Sequence, residues 1–585
     1  MRIKPLLIAG AALAIALPAL AQEVAQTQPA PAPAGSPPID TAPQASSTPD
    51  EGGVTETSGS DESAVEQVSN LNLPSPGPQQ EYPGWARRDP HNVGQLNPEE
   101  LGLGANPWGT ASGAFLSSLM RSMDVPIASR WAHIALRDAL LAKAPAPAAV
   151  NPIDWVAERA WLLLRMGEAD GARMLVSAVD VDRFTPKMVQ VAVQSALADG
   201  DAAALCPLED GISKYDTNIL ALVRAMCSSL AGEPELAAAQ IDDARRRGRI
   251  GGIDLELAAK VVSAGGSGRA TTIEWDPVDN LTAWRFGLAT ATGMVPPDRL
   301  LNSASTQLRA FQARAPLLTP QQRLNSALIA TGLGVFSSQS LLDLYSAIYD
   351  STDPDELSTT DSWQVRQAFV GKDLDTRMAA IRKLLAMGKD GLDKEAARAL
   401  VARAATLVEP DAKLAKDAPE LISAMLAAGY DKAVGRWSNA VARMDNEDSD
   451  RCWAMLALAA PDVASVGTSR LNAFIGRDKS PGKLRSAFLV AGLAGLGRID
   501  ANAANSLNRR YGLGLGWQSS WTKMIDAAAG RGQAGTVLVM TGTGFQTAQV
   551  EQLPAAHLFH AITDLTRTGQ DFTARMIAAE ALSRT

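Results

Sequence analysis

The chain has 585 residues, 54 Lys and Arg against 63 Asp and Glu for a formal net charge of −9, 46 % apolar and 20 % charged residues, and three cysteines. That composition excludes a disulfide-stapled miniprotein, a collagen-like chain and a polytopic membrane protein, and it is too apolar for disorder throughout. With no basic excess to neutralise phosphates, nucleic acid is not an expected partner.

Residues 1–21 have the pattern of a secretory leader. Arg2 and Lys4 supply the positive start, Leu6 to Leu17 the apolar run, and Ala19-Leu-Ala21 the small-x-small cleavage site before Gln22. The run is short for a bilayer and ends at Pro18, so the expectation is cleavage after Ala21 and a periplasmic or secreted protein. No later stretch is long and uncharged enough to predict an integral membrane segment.

Residues 22–86 hold nine acids and no Lys, Arg or His, among Pro, Ala, Ser, Thr and Gln. Such a segment cannot bury enough apolar surface to offset chain ordering, which predicts a disordered acidic linker. The linker carries −9 and the leader +2, which leaves the remainder near neutral at −2. Residues 87–110, rich in Gly, Asn and Pro and ending near Trp108, read as an extended strap lying on the folded body.

From about Ala111 to Thr585 the apolar residues return at i, i+3 and i+4, as in Ile153, Trp155, Val156, Ala160, Trp161, Leu163 and Leu164. The best strand candidate, Thr536 to Met540, is short and lies among helices, so the fold class is all-α. Four helices are expected to end on Gly167, Gly200, Gly232 and Gly265, at intervals of 33, 32 and 33 residues. Glu168, Asp201 and Glu233 follow the first three, where an acid suits the positive start of the next helix. Gly388, Gly429 and Gly569 repeat the theme less regularly. Hairpins of this length cannot bury their apolar faces alone and must stack, which predicts a right-handed α-solenoid of antiparallel helical hairpins over 111–585, with a subdivision near Gly265 as the alternative.

These positions resemble the tetratricopeptide-repeat family. Gly232 is followed by Ala237 and Ala244, and Gly569 by Ala574 and Ala581, the small residues that the family places five and twelve residues after its turn glycine. Gly167 has Ala172 but Val179, Gly200 has Leu205, and the usual closing proline is missing. The resemblance covers about 150–265 and the last hairpin, and it implies a curved stack with a concave binding face. The superhelical part of periplasmic lytic transglycosylases is similar in general character. Their activity is not expected here, because no Glu-Ser motif occurs in a catalytic context and the sequence stops at Thr585 straight after its last hairpin.

His557, His560 and Asp564, at i, i+3 and i+7, fall on one helix face opposite Leu558, Ile562 and Leu565. The bland reading is a solvated polar stripe. The sharper one is a zinc or nickel site, which would need ligands from elsewhere. Asp350, Asp353, Asp355, Glu356 and Asp361 crowd one loop in an order unlike an EF-hand, and read as helix caps rather than calcium ligands. Asp445 to Asp450 reads the same way, as a loop before the helix of Trp453. His133 beside Trp131 is expected to pack, and Gly512 to Gly516 to be a turn between helices. Cys206 and Cys227 lie in neighbouring elements, where a disulfide would contribute about 3 kcal/mol in an oxidising compartment; Cys227 facing the helical core is the alternative. Cys452 reads as a buried apolar residue.

No residue set assembles into a reaction centre or a cofactor site. The sequence therefore predicts an exported non-catalytic scaffold or adaptor that binds a protein or peptide partner in the cell envelope. The alternative is a cell-wall or polysaccharide-acting enzyme on an α-superhelix or α/α-toroid, with loop carboxylates as the acid and base.

Overall fold

Left-handed glycines set the unit from which the body is built. The computed structural model describes residues 83–248, 250–265, 272–462 and 466–585; the expected leader and nearly all of the acidic linker lie outside them. At Gly167 the glycine N–H bonds the Leu164 carbonyl at 3.0 Å and the Glu168 N–H reaches back to Leu163 at 2.8 Å. This paired closure satisfies carbonyls that a helix end otherwise leaves without partners. The same two bonds recur at Gly200, Gly232, Gly293, Gly334, Gly429, Gly497, Gly532 and Gly569, all with φ between 65° and 101°. Two expected turn glycines depart from the pattern. Gly265 closes its helix at φ −81°, and Gly388 is not left-handed. The break that starts at Gly265 then runs into residues outside those described.

In chain order the first helices are α1 (Gly113–Ser122), α2 (Arg130–Leu141), α3 (Pro152–Met166), α4 (Ala169–Ser177), α5 (Pro186–Ala198), α6 (Glu209–Ile212), α7 (Thr217–Leu230), α8 (Pro234–Arg247), α9 (Ile253–Ala264) and α10 (Ala283–Thr290). Then come α11 (Asp298–Ser303), α12 (Thr306–Arg314), α13 (Pro320–Leu333), α14 (Ser338–Ser351), α15 (Pro354–Leu357), α16 (Asp361–Val370), α17 (Leu374–Leu385), α18 (Gly391–Thr406), α19 (Ala418–Ala427) and α20 (Asp431–Gly435). The last group is α21 (Ser438–Val441), α22 (Asn446–Ala459), α23 (Thr468–Arg477), α24 (Leu484–Gly495), α25 (Ala501–Tyr511), α26 (Ser520–Gly530), α27 (Ala534–Gly544), α28 (Ala555–Arg567) and α29 (Asp571–Ser583). The fold is all-α. Thr536 to Met540, the best strand candidate, lies inside α27 and is buried on every side. The acids from Asp445 on do not form a loop before Trp453 either, because α22 already starts at Asn446.

Neighbouring helices pair as hairpins, with α3 on α4, α7 on α8, α12 on α13, α18 on α19 and α28 on α29. Small residues set how close the pairs come: a Cβ at Gly287 of α10 would lie 2.5 Å from the Leu197 carbonyl oxygen of α5. Chain-order stacking is not the whole arrangement. Helix α2 packs on α3 and also on α27 and α29, and α1 packs on α27, so the two ends of the helical body meet.

The segment before α1 runs over this body. Asn92–Val93 pairs antiparallel with Ala144–Pro145, Arg87 bonds Asp182, and Trp108 is fully buried edge-on against Trp155 at 5.1 Å. The Pro107 carbonyl accepts the N–H of Gly535 in α27 at 2.9 Å.

Arginines that are buried (Arg130, Arg159) or half-buried (Arg498) fasten helix ends to one another. Arg159 donates to Leu140 and Ala142 at the end of α2 (3.1 Å each), Arg498 to Ala457 and Ala460 at the end of α22 (2.5 and 2.7 Å), and Arg130 to Thr331 near the end of α13 (2.9 Å). A guanidinium there satisfies carbonyls and suits the negative pole of the helix.

Candidate functional site

The polar cluster expected on α28 divides in two. His557 is not part of the three-donor group: it stacks on Trp517 (ring centroids 5.4 Å), packs at a tilt against Trp521 (4.4 Å), and places Nδ1 3.2 Å from the Gly544 carbonyl. Burial lowers its pKa from the ordinary histidine value. His560 and Asp564 instead meet a residue that sequence spacing did not nominate, Asp526 of α26. His560 Nδ1 lies 2.6 Å from Asp526 Oδ1, and one donor atom from each of Asp526, His560 and Asp564 falls within 4.8 Å of the others.

This is not a solvated stripe. Asp564 has no exposed side-chain surface, Arg567 lies 3.4 Å from its Oδ1, and its Oδ2 has no hydrogen-bond partner among the described residues. Burial pushes its carboxyl up to about 7, with the Asp526 carboxylate adding to the rise and Arg567 opposing it. Among the described residues, three His, Cys, Asp or Glu donors gather only here.

The acids expected in one loop are divided among helices, with Asp350 in α14, Asp355 and Glu356 in α15 and Asp361 at the start of α16. Asp353 accepts the Asp355 N–H at the start of α15, and Thr360 caps α16 ahead of Asp361. Asp450 is nearly buried and pairs with Arg470 and Arg477. His133 is buried, with Nε2 3.1 Å from Glu168. Gly512 ends α25 in the left-handed conformation and leads into the turn before α26. Cys452 is buried, and Cys206 and Cys227 are joined with their Cα atoms 5.7 Å apart. That disulfide lines an open pocket of about 580 Å³ together with Glu209, Arg224 and Glu233.

A second pocket, of about 620 Å³, lies between α14, α16 and α18 and went unread in the sequence. Its apolar wall is Leu342, Val365 and Phe369. Tyr349 and Trp363 stack nearly parallel at 6.4 Å, and the Arg366 guanidinium sits 5.1 Å above the Tyr349 ring. Arg366 and Arg403 line the pocket without an ion-pair partner among the described residues. Tyr345 is 1 % exposed, yet its hydroxyl has no hydrogen-bond partner among the described residues. Burial raises the pKa of that phenol further above its ordinary value, so it stays a donor. Asp343 and Asp350 line the same pocket and, like the two arginines, are exposed. The readable signal was Tyr345 and Tyr349 at i, i+4 on one helix, with Trp363 and Arg366 a turn apart on another.

The arrangement offers aromatic and apolar surface, two cations, two carboxylates and one buried donor, which suits a polar ligand with a flat or apolar side chain, with the two arginines the groups available to an acidic one. No family model, no curated protein and no solved structure matches this chain.

Proposed function

We propose that this chain is an exported helical-hairpin scaffold that binds a polypeptide partner in the cell envelope, and that the cleft between α14, α16 and α18 receives an acidic segment of that partner. The observation that carries the reading is the pair Arg366 and Arg403, which line a cleft of about 620 Å³ beside the unsatisfied Tyr345 hydroxyl. A buried donor without a partner costs about 1–3 kcal/mol, and an incoming carboxylate or carbonyl removes that cost. Two features support export: the leader pattern at residues 1–21 and the Cys206–Cys227 disulfide, a bond that persists in oxidising compartments.

The rival enzyme needs two carboxylates facing each other across a cleft, about 5–10 Å apart. The Asp526–Asp564 pair does not meet that requirement: the two groups are side by side and Asp564 is shut away from solvent. The binding reading is tested by probing an array of extended peptides with the full chain and with R366A/R403A. Selective retention of peptides bearing a carboxylate, lost in the double variant, is the expected result. Retention that ignores peptide charge, or that survives the double substitution, would sink it.

A further inference from the structure

The contact between α26 and α28 holds chemistry that the peptide-binding reading does not use. His560 and Asp564, at i and i+4, project from the same face of α28, and Asp526 meets them from α26. Two carboxylates and an imidazole therefore converge from two helices in a space 4.8 Å across.

The charge in this space is poorly answered from within the protein. Among the described residues Asp564 has one ion-pair partner, Arg567, which is half exposed and 3.4 Å from Oδ1. The shielded Oδ2 finds no donor. His557, one turn earlier on α28, faces the tryptophans and not the acids. A fully shielded carboxylate with one oxygen lacking a donor, set beside a second carboxylate, is costly unless a metal cation or a proton lies between them.

We propose that Asp526, His560 and Asp564 bind a divalent transition-metal ion, with zinc as the best-fitting occupant. One nitrogen and two carboxylate oxygens form a borderline-hard donor set that zinc accepts in tetrahedral geometry, with water completing the shell. His560 Nδ1 and Asp526 Oδ1 are already 2.6 Å apart. Ligands at about 2.0–2.2 Å from a common ion sit a little farther from each other than that, so small side-chain rotations complete the set. Asp526 is 39 % exposed and forms the solvent side, where the water ligand would stand. The ion would tie α26 to α28 and satisfy Asp564 at the same time. The rival occupant is a single proton shared by the two carboxyl groups.

The test is a zinc titration of tag-free, metal-free full chain against a chromophoric competitor, with thermal unfolding read in parallel. One zinc per chain is expected, at micromolar affinity or tighter, together with a rise in the unfolding midpoint. D526N, H560Q and D564N should each weaken zinc by at least about tenfold and abolish the rise, whereas H557A should change neither. Circular dichroism establishes which variants are folded, and D526N at the half-exposed rim carries the test if D564N is not. Zinc binding no tighter than about 1 mM, or binding unchanged in D526N and H560Q, would overturn the site and leave the shared proton as the occupant.

Discussion

Glu580, in the last helix, accepts the backbone N–H of Arg130 at 2.9 Å across 450 positions of sequence, and its other oxygen takes the Ser129 hydroxyl at 2.5 Å and the Trp131 N–H at 3.2 Å. A carboxylate from one end of the chain thus caps the positive start of α2 near the other. Arg130 extends the junction by donating to Thr331 and to Ala427, the last residue of α19. This buried group adds a polar tie to the direct packing of α2 on α29. E580A leaves the capped N–H groups without their acceptor and takes the carboxylate from Arg584, which keeps only its bond to the Ala128 carbonyl; it is expected to destabilise by about 3 kcal/mol in urea unfolding. E580Q, which keeps one acceptor, should lose less. A loss below about 1 kcal/mol for E580A would mean that the ends are held by apolar packing alone.

The turn glycines yield a clean backbone test. Gly232 has φ 86° with nothing near its missing Cβ, so G232A acts through conformation alone and should cost about 1 kcal/mol. Gly435, in α20 and equally open, is the control. G435A should cost nothing, and equal losses at the two sites in chemical unfolding would refute the argument.

The disulfide predicts a thiol count. With three cysteines and a Cys206–Cys227 bridge, denaturation without reductant should release one reactive thiol per chain, from Cys452. Reduction should then lower stability by about 3 kcal/mol, the value for closing a loop of this length. Three thiols in protein recovered from an oxidising compartment would count against the bridge and weaken the export reading.

Asp199 makes stability depend on pH. Burial, with Asp170 and Asp201 nearby, pushes its carboxyl up to about 7. The folded state therefore holds this proton more tightly than the unfolded chain does, and the contribution of the group falls as pH rises from about 4 to about 7. D199N should raise the unfolding midpoint at pH 8, by a gain of about 1–2 kcal/mol after solvent screening, and leave it unchanged near pH 4. A gain of equal size at both pH values would show that ionisation is not the cause.

Local signals carried further in the sequence than distant ones. Gly167, Gly200, Gly232, Gly429 and Gly569 take positive φ because a left-handed closure is a property of the residue itself. Gly265 and Gly388 look the same in sequence but close differently, since the path after each helix depends on what it packs against. In the α28 cluster the i, i+4 pair His560 and Asp564 was legible. Asp526, 34 positions before His560, was not, because helix-to-helix packing alone brings it there. His557 was misassigned for a similar reason: Trp517 and Trp521 capture its ring. The cleft stayed hidden because Tyr345, Arg366 and Arg403 each look like ordinary residues of an amphipathic helix until α14, α16 and α18 are placed together.

Occupancy of that cleft is tested most directly by photo-crosslinking in the producing cells. A photoreactive residue replaces Val370, which is 63 % exposed and lines the cleft, and in a control it replaces Leu317, which is 60 % exposed and does not line it. The account predicts one dominant polypeptide adduct at position 370, contacted through an acidic segment, absent at 317 and lost when Arg366 and Arg403 are both alanine. Adducts equal at the two positions, or indifferent to the loss of both arginines, would contradict it.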